Sequence, residues 1–181
     1  MSAHPEGGVE AKRACDVMIP LEDYPHIPYW FTLRQAMAEM ENCQLERGGR
    51  KSLPRVVLVF DERYHLLGMA RRRDILRGLE PDFMAHSFHH AKQPFDLAVD
   101  ANLTELSFDR ISSGLRERAE RPVSGVMQPV EVTVQADDHI IKVVHAMTQN
   151  DLSFIPVLQG GKVTGVVRSV ELFHEIARLI L

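Results

Sequence analysis

Two stretches of this 181-residue chain read alike, and few features restrict a fold more than an internal repeat. YHLLGMARRRDIL (64 to 76) matches GKVTGVVRSVELF (161 to 173): Gly68 aligns with Gly165, Arg71 with Arg168 and Asp74 with Glu171, each 97 positions apart. Upstream, CDVMIP (15 to 20) resembles SGVMQP (124 to 129), with Met18 and Pro20 meeting Met127 and Pro129 at an offset of 109. Between these ends, Leu33, Ala36, Met37 and Met40 form an i, i+3, i+4, i+7 stripe, and Ile140, Val143, Val144 and Met147 repeat it at an offset of 107. Such spacing places one apolar stripe on an amphipathic helix. A unit this small leaves an apolar sheet face open, and two units can bury those faces against each other.

Thr32 and Gln35 predict a capping box for the first helix, and Asp138 predicts an N-cap for the second. Each helix precedes two apolar runs: RVVLVF and YHLLGMA around Asp61-Glu62-Arg63, then FIPVL and KVTGVV around Gly160-Gly161. A Gly-Gly pair between β-rich runs signals a tight hairpin, because glycine tolerates positive φ. Closing helices are expected over 74–79 and 170–181. Each half therefore reads βαββα, an α/β (α+β) fold class. The predicted boundaries are a tail over 1–13, repeat one over 14–80, a partly helical connection over 81–120 and repeat two over 121–181. The falling offsets place extra residues in the first repeat, in a helix-to-strand loop ENCQLERGGRKSLP.

Composition bounds the function. Hydrophobic residues make up 45% and charged residues 25%, and the net charge is −4, which offers phosphate backbones no basic surface, so no nucleic acid is expected. No run reaches eighteen apolar residues and the N-terminus lacks an apolar signal core, so neither membrane insertion nor secretion is expected. The expected compartment is cytoplasmic, with Cys15 and Cys43 reduced. Nucleophile-elbow, Walker-type and H-E-x-x-H patterns are absent, and no catalytic residue is expected.

The V-M lead-in, amphipathic helix, hydrophobic-Pro-Val strand and Gly-hydrophobic-hydrophobic-x-x-x-acidic ending resemble the cystathionine-β-synthase (CBS) domain family. LSFIPVLQGGKVTGVV carries the resemblance best, while Leu58 replaces the usual proline in the first copy. The resemblance implies a pseudo-twofold pair of repeats, a Bateman module. It further implies an inter-repeat cleft for AMP, ADP, ATP or S-adenosylmethionine as a regulatory ligand, a homodimer, and an unidentified effector protein. The alternative is an unliganded module that serves dimerisation or protein interaction.

In the family a serine or threonine stands three residues before the acidic position and helps hold ribose and phosphate; here Arg71 precedes Asp74 and Arg168 precedes Glu171. The carboxylates keep the capacity to accept from ribose hydroxyls, and a guanidinium fork suits phosphate, so one reading makes the arginines phosphate clamps that favour phosphate-rich ligands. The other reading makes Arg71-Arg72-Arg73 a solvated basic turn paired with Asp61 or Glu62. The resemblance assigns an adenine slot to Phe154, Ile155, Pro156, Val130 and Val132 in the second repeat, and to Ile19, Val57 and Leu58 in the first. His86, His89 and His90 share helical spacing and are weak candidates for metal ligands, with no acidic residue or cysteine to complete a set. EDYPHIPYWF (22 to 31) is expected to be extended, either packed over the first repeat or offered to a partner.

Overall fold

The computed structural model describes residues 12–47, 49–80 and 108–181. The first repeat runs α1 (Ala14–Val17), β1 (Ile19–Pro20), β2 (His26–Pro28), α2 (Leu33–Asn42), β3 (Leu45–Arg47), β4 (Arg50–Ser52), β5 (Val56–Phe60), β6 (Leu66–Arg71) and α3 (Arg72–Leu79). A connecting helix, α4 (Phe108–Ala119), leads to β7 (Val134–Gln135), α5 (Ile140–Gln149), β8 (Phe154–Gln159), β9 (Lys162–Arg168) and α6 (Ser169–Ile180). The mixed α/β class read from the sequence is the class observed.

Local chemistry accounts for the helix starts. Thr32 Oγ1 accepts from Gln35 N at 3.2 Å while Thr32 N donates to Gln35 Oε1 at 2.9 Å, the expected capping box. Below it, Leu33, Ala36 and Met40 are buried, whereas Met37 lies at the margin of the stripe and is exposed. In the second repeat the N-cap is His139 rather than Asp138. Asp138 instead closes the preceding turn, accepting from Gln135 N at 2.8 Å and pairing with Lys142 at 2.6 Å. A carboxylate one residue too early serves the turn because the helix begins only where β7 has ended.

Among the described residues three sheets form, ordered β2-β5-β6, β1-β9-β8-β7 and β3-β4. β5 is central and buried along its whole length, which explains why VVLVF does not alternate. Gly160 (φ +58°) and Gly161 (φ +79°) make the β8–β9 turn, a left-handed pair suited to a two-residue hairpin. EDYPHIPYWF packs: Tyr24 and Ile27 are buried and β2 runs parallel to β5, while Trp30 stays half exposed.

The lead-ins cross between repeats. β1 pairs with β9, Ile19 opposite Val166, and the equivalent Gln128 bridges Met69 of β6. Likewise Ile140 N donates to Lys12 O at 3.0 Å and Leu33 N to Arg121 O at 2.9 Å. Ala14 and Val17 are buried with the α5–β8–β9 core, and Ala119 and Val123 with the α2–β5–α3 core. A third core, holding Ile19, Tyr24, Leu45, Val56, Leu58, Phe60, Phe154 and Val166, joins the two repeats. The unit that packs is thus not the unit that repeats.

The extra residues of the first repeat are not a plain loop. They form the β3–β4 hairpin, with Arg47 opposite Arg50 and the buried Leu45 anchored in the shared core. Of the tail predicted over 1–13, residues 1–11 lie outside the described residues, as do the histidines at 86, 89 and 90, whereas Lys12 pairs with Glu175 and Arg13 is the N-cap of α1.

Candidate functional site

Each acidic residue at the start of a closing helix is held by the arginine three positions before it. Arg71 is the N-cap of α3, and its Nε and Nη2 donate to Asp74 Oδ2 and Oδ1 at 2.7 and 3.0 Å, while its backbone N donates to Oδ2 at 3.0 Å. In the second repeat Arg168 Nε donates to Glu171 Oε2 at 2.8 Å, Nη2 donates to Oε1, and Nη1 reaches Ser52 Oγ of the inserted hairpin at 3.0 Å. Both forks are bidentate, the strong geometry for this pair. A cation at a helix N-terminus opposes the dipole, but here the charge is neutralised by the residue at N3. Neither Asp61 nor Glu62 is the partner expected for the basic turn: Asp61 accepts from His65 and Arg63, and Glu62 from Tyr29.

The Asp74 side chain is 1% exposed. Burial pushes its carboxyl up, but the hydrogen bonds from Arg71, with the charges of Arg71 and Arg73, hold it below the usual range. Asp74 therefore stabilises the fold above the unfolded carboxylate range, and that contribution disappears as pH falls through its lowered native value. Arg71→Ala should leave a buried carboxylate without its fork and cost about 2 kcal/mol. The gap between the two proteins should narrow as pH falls through the carboxylate range, because protonating Asp74 removes what the fork contributes. Urea melts of both proteins from pH 7 down to pH 3 check this; superimposable profiles would contradict it. Either arginine is thus more than a removable surface charge.

Around the second pair lies a cleft of about 640 Å³, within the range of about 300–1,000 Å³ usual for ligand sites. Arg47, Arg50, Lys51 and Ser52 of the hairpin form one wall; Arg168, Glu171, His174, Glu175 and Arg178 form the other. Arg47 donates to the carbonyls of Asp16, at 2.6 Å, and Met18. Arg50 Nη1 contacts the His174 ring, 2.8 Å from Nδ1. Glu175 pairs with Lys12 and, at 3.2 Å, with Arg178. The Lys12 hydrogen bond leads in holding its carboxyl below the usual range, outweighing burial, with help from the charges of Lys12, Arg178 and Arg47. The space beside the first pair, about 460 Å³, is lined by Asp74, Arg77, Gly78, Arg118, Arg121 and Gln128 among others.

The apolar residues assigned to adenine divide. Phe154, Pro156, Val130 and Val132 surround a separate space of about 150 Å³ that also touches Met69 and Leu152, below the usual ligand range. Phe154 stands directly across the strands from Arg168. Ile155 is sealed in the second repeat's core; Ile19 and Leu58 are sealed between the repeats and Val57 in the first core. Ile19 in addition lies on β9, away from the Asp74 site to which it was assigned. Sequence reasoning overlooked the hairpin cations, although ERGGRK contains the same Gly-Gly signal that revealed the β8–β9 turn.

Residues 123–178 match the family model "CBS domain". The second repeat is a CBS domain. Solved CBS proteins cover nearly the whole chain: one from Kribbella flavida DSM 17836 superposes with a TM-score of 0.67 at 14% identity, over 92% of this chain and 98% of its own. The CBS domain of a CBS-domain-containing membrane protein from Sphaerobacter thermophilus gives 0.62 at 19% identity, over 92% and 88%. CBSX2, solved in complex with AMP, gives 0.60 at 12% identity, over 93% and 98%. These likenesses show that the described residues share the fold of solved CBS-domain proteins. No curated protein matches the sequence significantly. The CBS match begins at Val123, a residue buried in the core of the other repeat, so even the family boundary follows the repeat and not the packing. No helix among the described residues is long and apolar enough to cross a membrane.

Proposed function

We propose that this CBS-domain pair is a regulatory module that takes an adenine nucleotide or related adenosyl ligand in the inter-repeat cleft and passes its occupancy to an effector protein. The observation that carries this reading is the cleft itself, about 640 Å³, with a cationic wall from one repeat facing Arg168 and Glu171 of the other. The AMP complex of CBSX2, a protein of the same fold, supports the choice of ligand class. Homodimerisation accompanies the reading: Val170, Phe173, Ile180 and Leu181 of the closing helix and its end are exposed apolar residues.

A thermal-shift series with AMP, ADP, ATP and S-adenosylmethionine tests it. A ligand at about 100 Kd adds about 2.7 kcal/mol, which for a chain of this size raises the midpoint by about 5–10 °C. No response to any of the four would overturn the ligand reading. That result would favour an unliganded interaction module, the reading supported by the mutual satisfaction of each arginine and its carboxylate.

A further inference from the structure

We infer that phosphate recognition in this cleft comes from the inserted β3–β4 hairpin, with Arg50 as its specificity-determining residue, and that the ligand carries two or more phosphates. The inference rests on the nucleotide reading for the adenosyl part alone.

Among the described residues, five cationic side chains and two carboxylates line the cleft, a surplus of three positive charges. Both carboxylates are already engaged, Glu171 by Arg168 and Glu175 by Lys12 and Arg178. Three arginines are also committed: Arg168 to Glu171 and Ser52, Arg47 to two backbone carbonyls, and Arg178 to Glu175. Arg50 is different. Its contact is the imidazole of His174, which carries no negative charge to balance the guanidinium. It also stands directly across the hairpin from Arg47, and like charges in opposed positions destabilise a strand pair. Lys51, next in the strand, has only an exposed Glu46 at 3.9 Å, a weak pair.

This arrangement spends stability on a concentration of positive charge and leaves it uncompensated where the cleft is open. An oligophosphate group supplies what is missing: several charges spaced along a chain, with oxygens that a guanidinium binds in bidentate fashion. A single phosphate, with about 1.5 to 2 negative charges, would leave at least one positive charge of the surplus unmet. Arg168, expected from sequence to be the clamp, has its fork on Glu171, so the phosphate function passes to the hairpin. Leu45 holds that hairpin in the shared core, so Arg50 is presented from an anchored element.

Calorimetric titrations of the full chain with adenosine, AMP, ATP and inorganic tripolyphosphate test this, alongside Arg50→Ala and Arg50→Lys. Neither variant should melt below the wild type when unliganded, since Arg50 is exposed and Arg50→Ala also relieves the charge opposite Arg47. Wild type should bind ATP at least about tenfold more tightly than AMP, and Arg50→Ala should remove about tenfold of ATP affinity while sparing adenosine. Arg50→Lys should recover only part of the loss, because an ammonium cannot fork. Tripolyphosphate binding that depends on Arg50, without any adenosine or nucleotide preference, would uphold the hairpin site and overturn the nucleotide reading. AMP and ATP binding equally, or an ATP preference untouched by Arg50→Ala, would overturn the hairpin inference and leave the nucleotide reading standing. Absence of binding by both ATP and tripolyphosphate would overturn the hairpin inference as well.

Discussion

Gly165→Ala should destabilise the fold by about 2–3 kcal/mol, the cost of forcing an added carbon into a packed site. A Cβ at Gly165 would lie 2.5 Å from Ile19 O and 2.7 Å from Met18 Sδ. The methionine can swing aside, but the carbonyl belongs to the β1–β9 pair and cannot retreat without breaking it. Gly68→Ala repeats the injury in the other half, where the Cβ would meet Gln128 O at 2.5 Å. Its effect should be the smaller of the two, because Met127 Sδ stands off at 3.4 Å. For a chain of this length the Gly165 change should lower the melting midpoint by about 4–12 °C. A midpoint within about 1 °C of wild type would show that the lead-in does not sit on the strand as described. The result bears on the ligand as well, since Met18 O and Asp16 O, just before β1, hold Arg47 in the cleft wall.

A fragment of residues 121–181 should fail to form a stable monomer, although it contains a complete sequence repeat. It would lack Ala14 and Val17, both fully buried against Ile140, Val143, Ile155 and Leu172. Ile140 N would lose its acceptor at Lys12, and Phe154 and Val166 would lose Leu58, Phe60 and Tyr24 across the shared core. Each large side chain stripped of its core is worth about 2–3 kcal/mol, and the sum exceeds the usual stability of a small domain. In sedimentation the fragment should aggregate or pair with a second copy, which can offer equivalent faces. A soluble, cooperatively melting monomer would refute the shared core.

The sequence by itself determined what depends on neighbours a few residues apart. Periodicity located α2 and α5, Thr32 and Gln35 located a helix start, and Gly160-Gly161 located a turn. The repeat announced two equivalent units, and the motif carried the fold class as far as the CBS family. It also exposed the aligned pairs Gly68/Gly165 and Met18/Met127 without saying why they recur together. Only the tertiary structure decided that, because the two motifs meet between repeats: the methionine lead-in of one lies over the glycine of the other, at separations no local pattern encodes. The same holds for the site. Arg71, Arg168, Asp74 and Glu171 could be named from their alignment, but a side chain's partner depends on where its donors converge in space. The guanidinium forks closed on their own carboxylates, three residues away on the first helical turn. The basic wall came instead from an insertion whose register, Arg47 opposite Arg50, exists only once the hairpin is folded and anchored by Leu45 between the repeats.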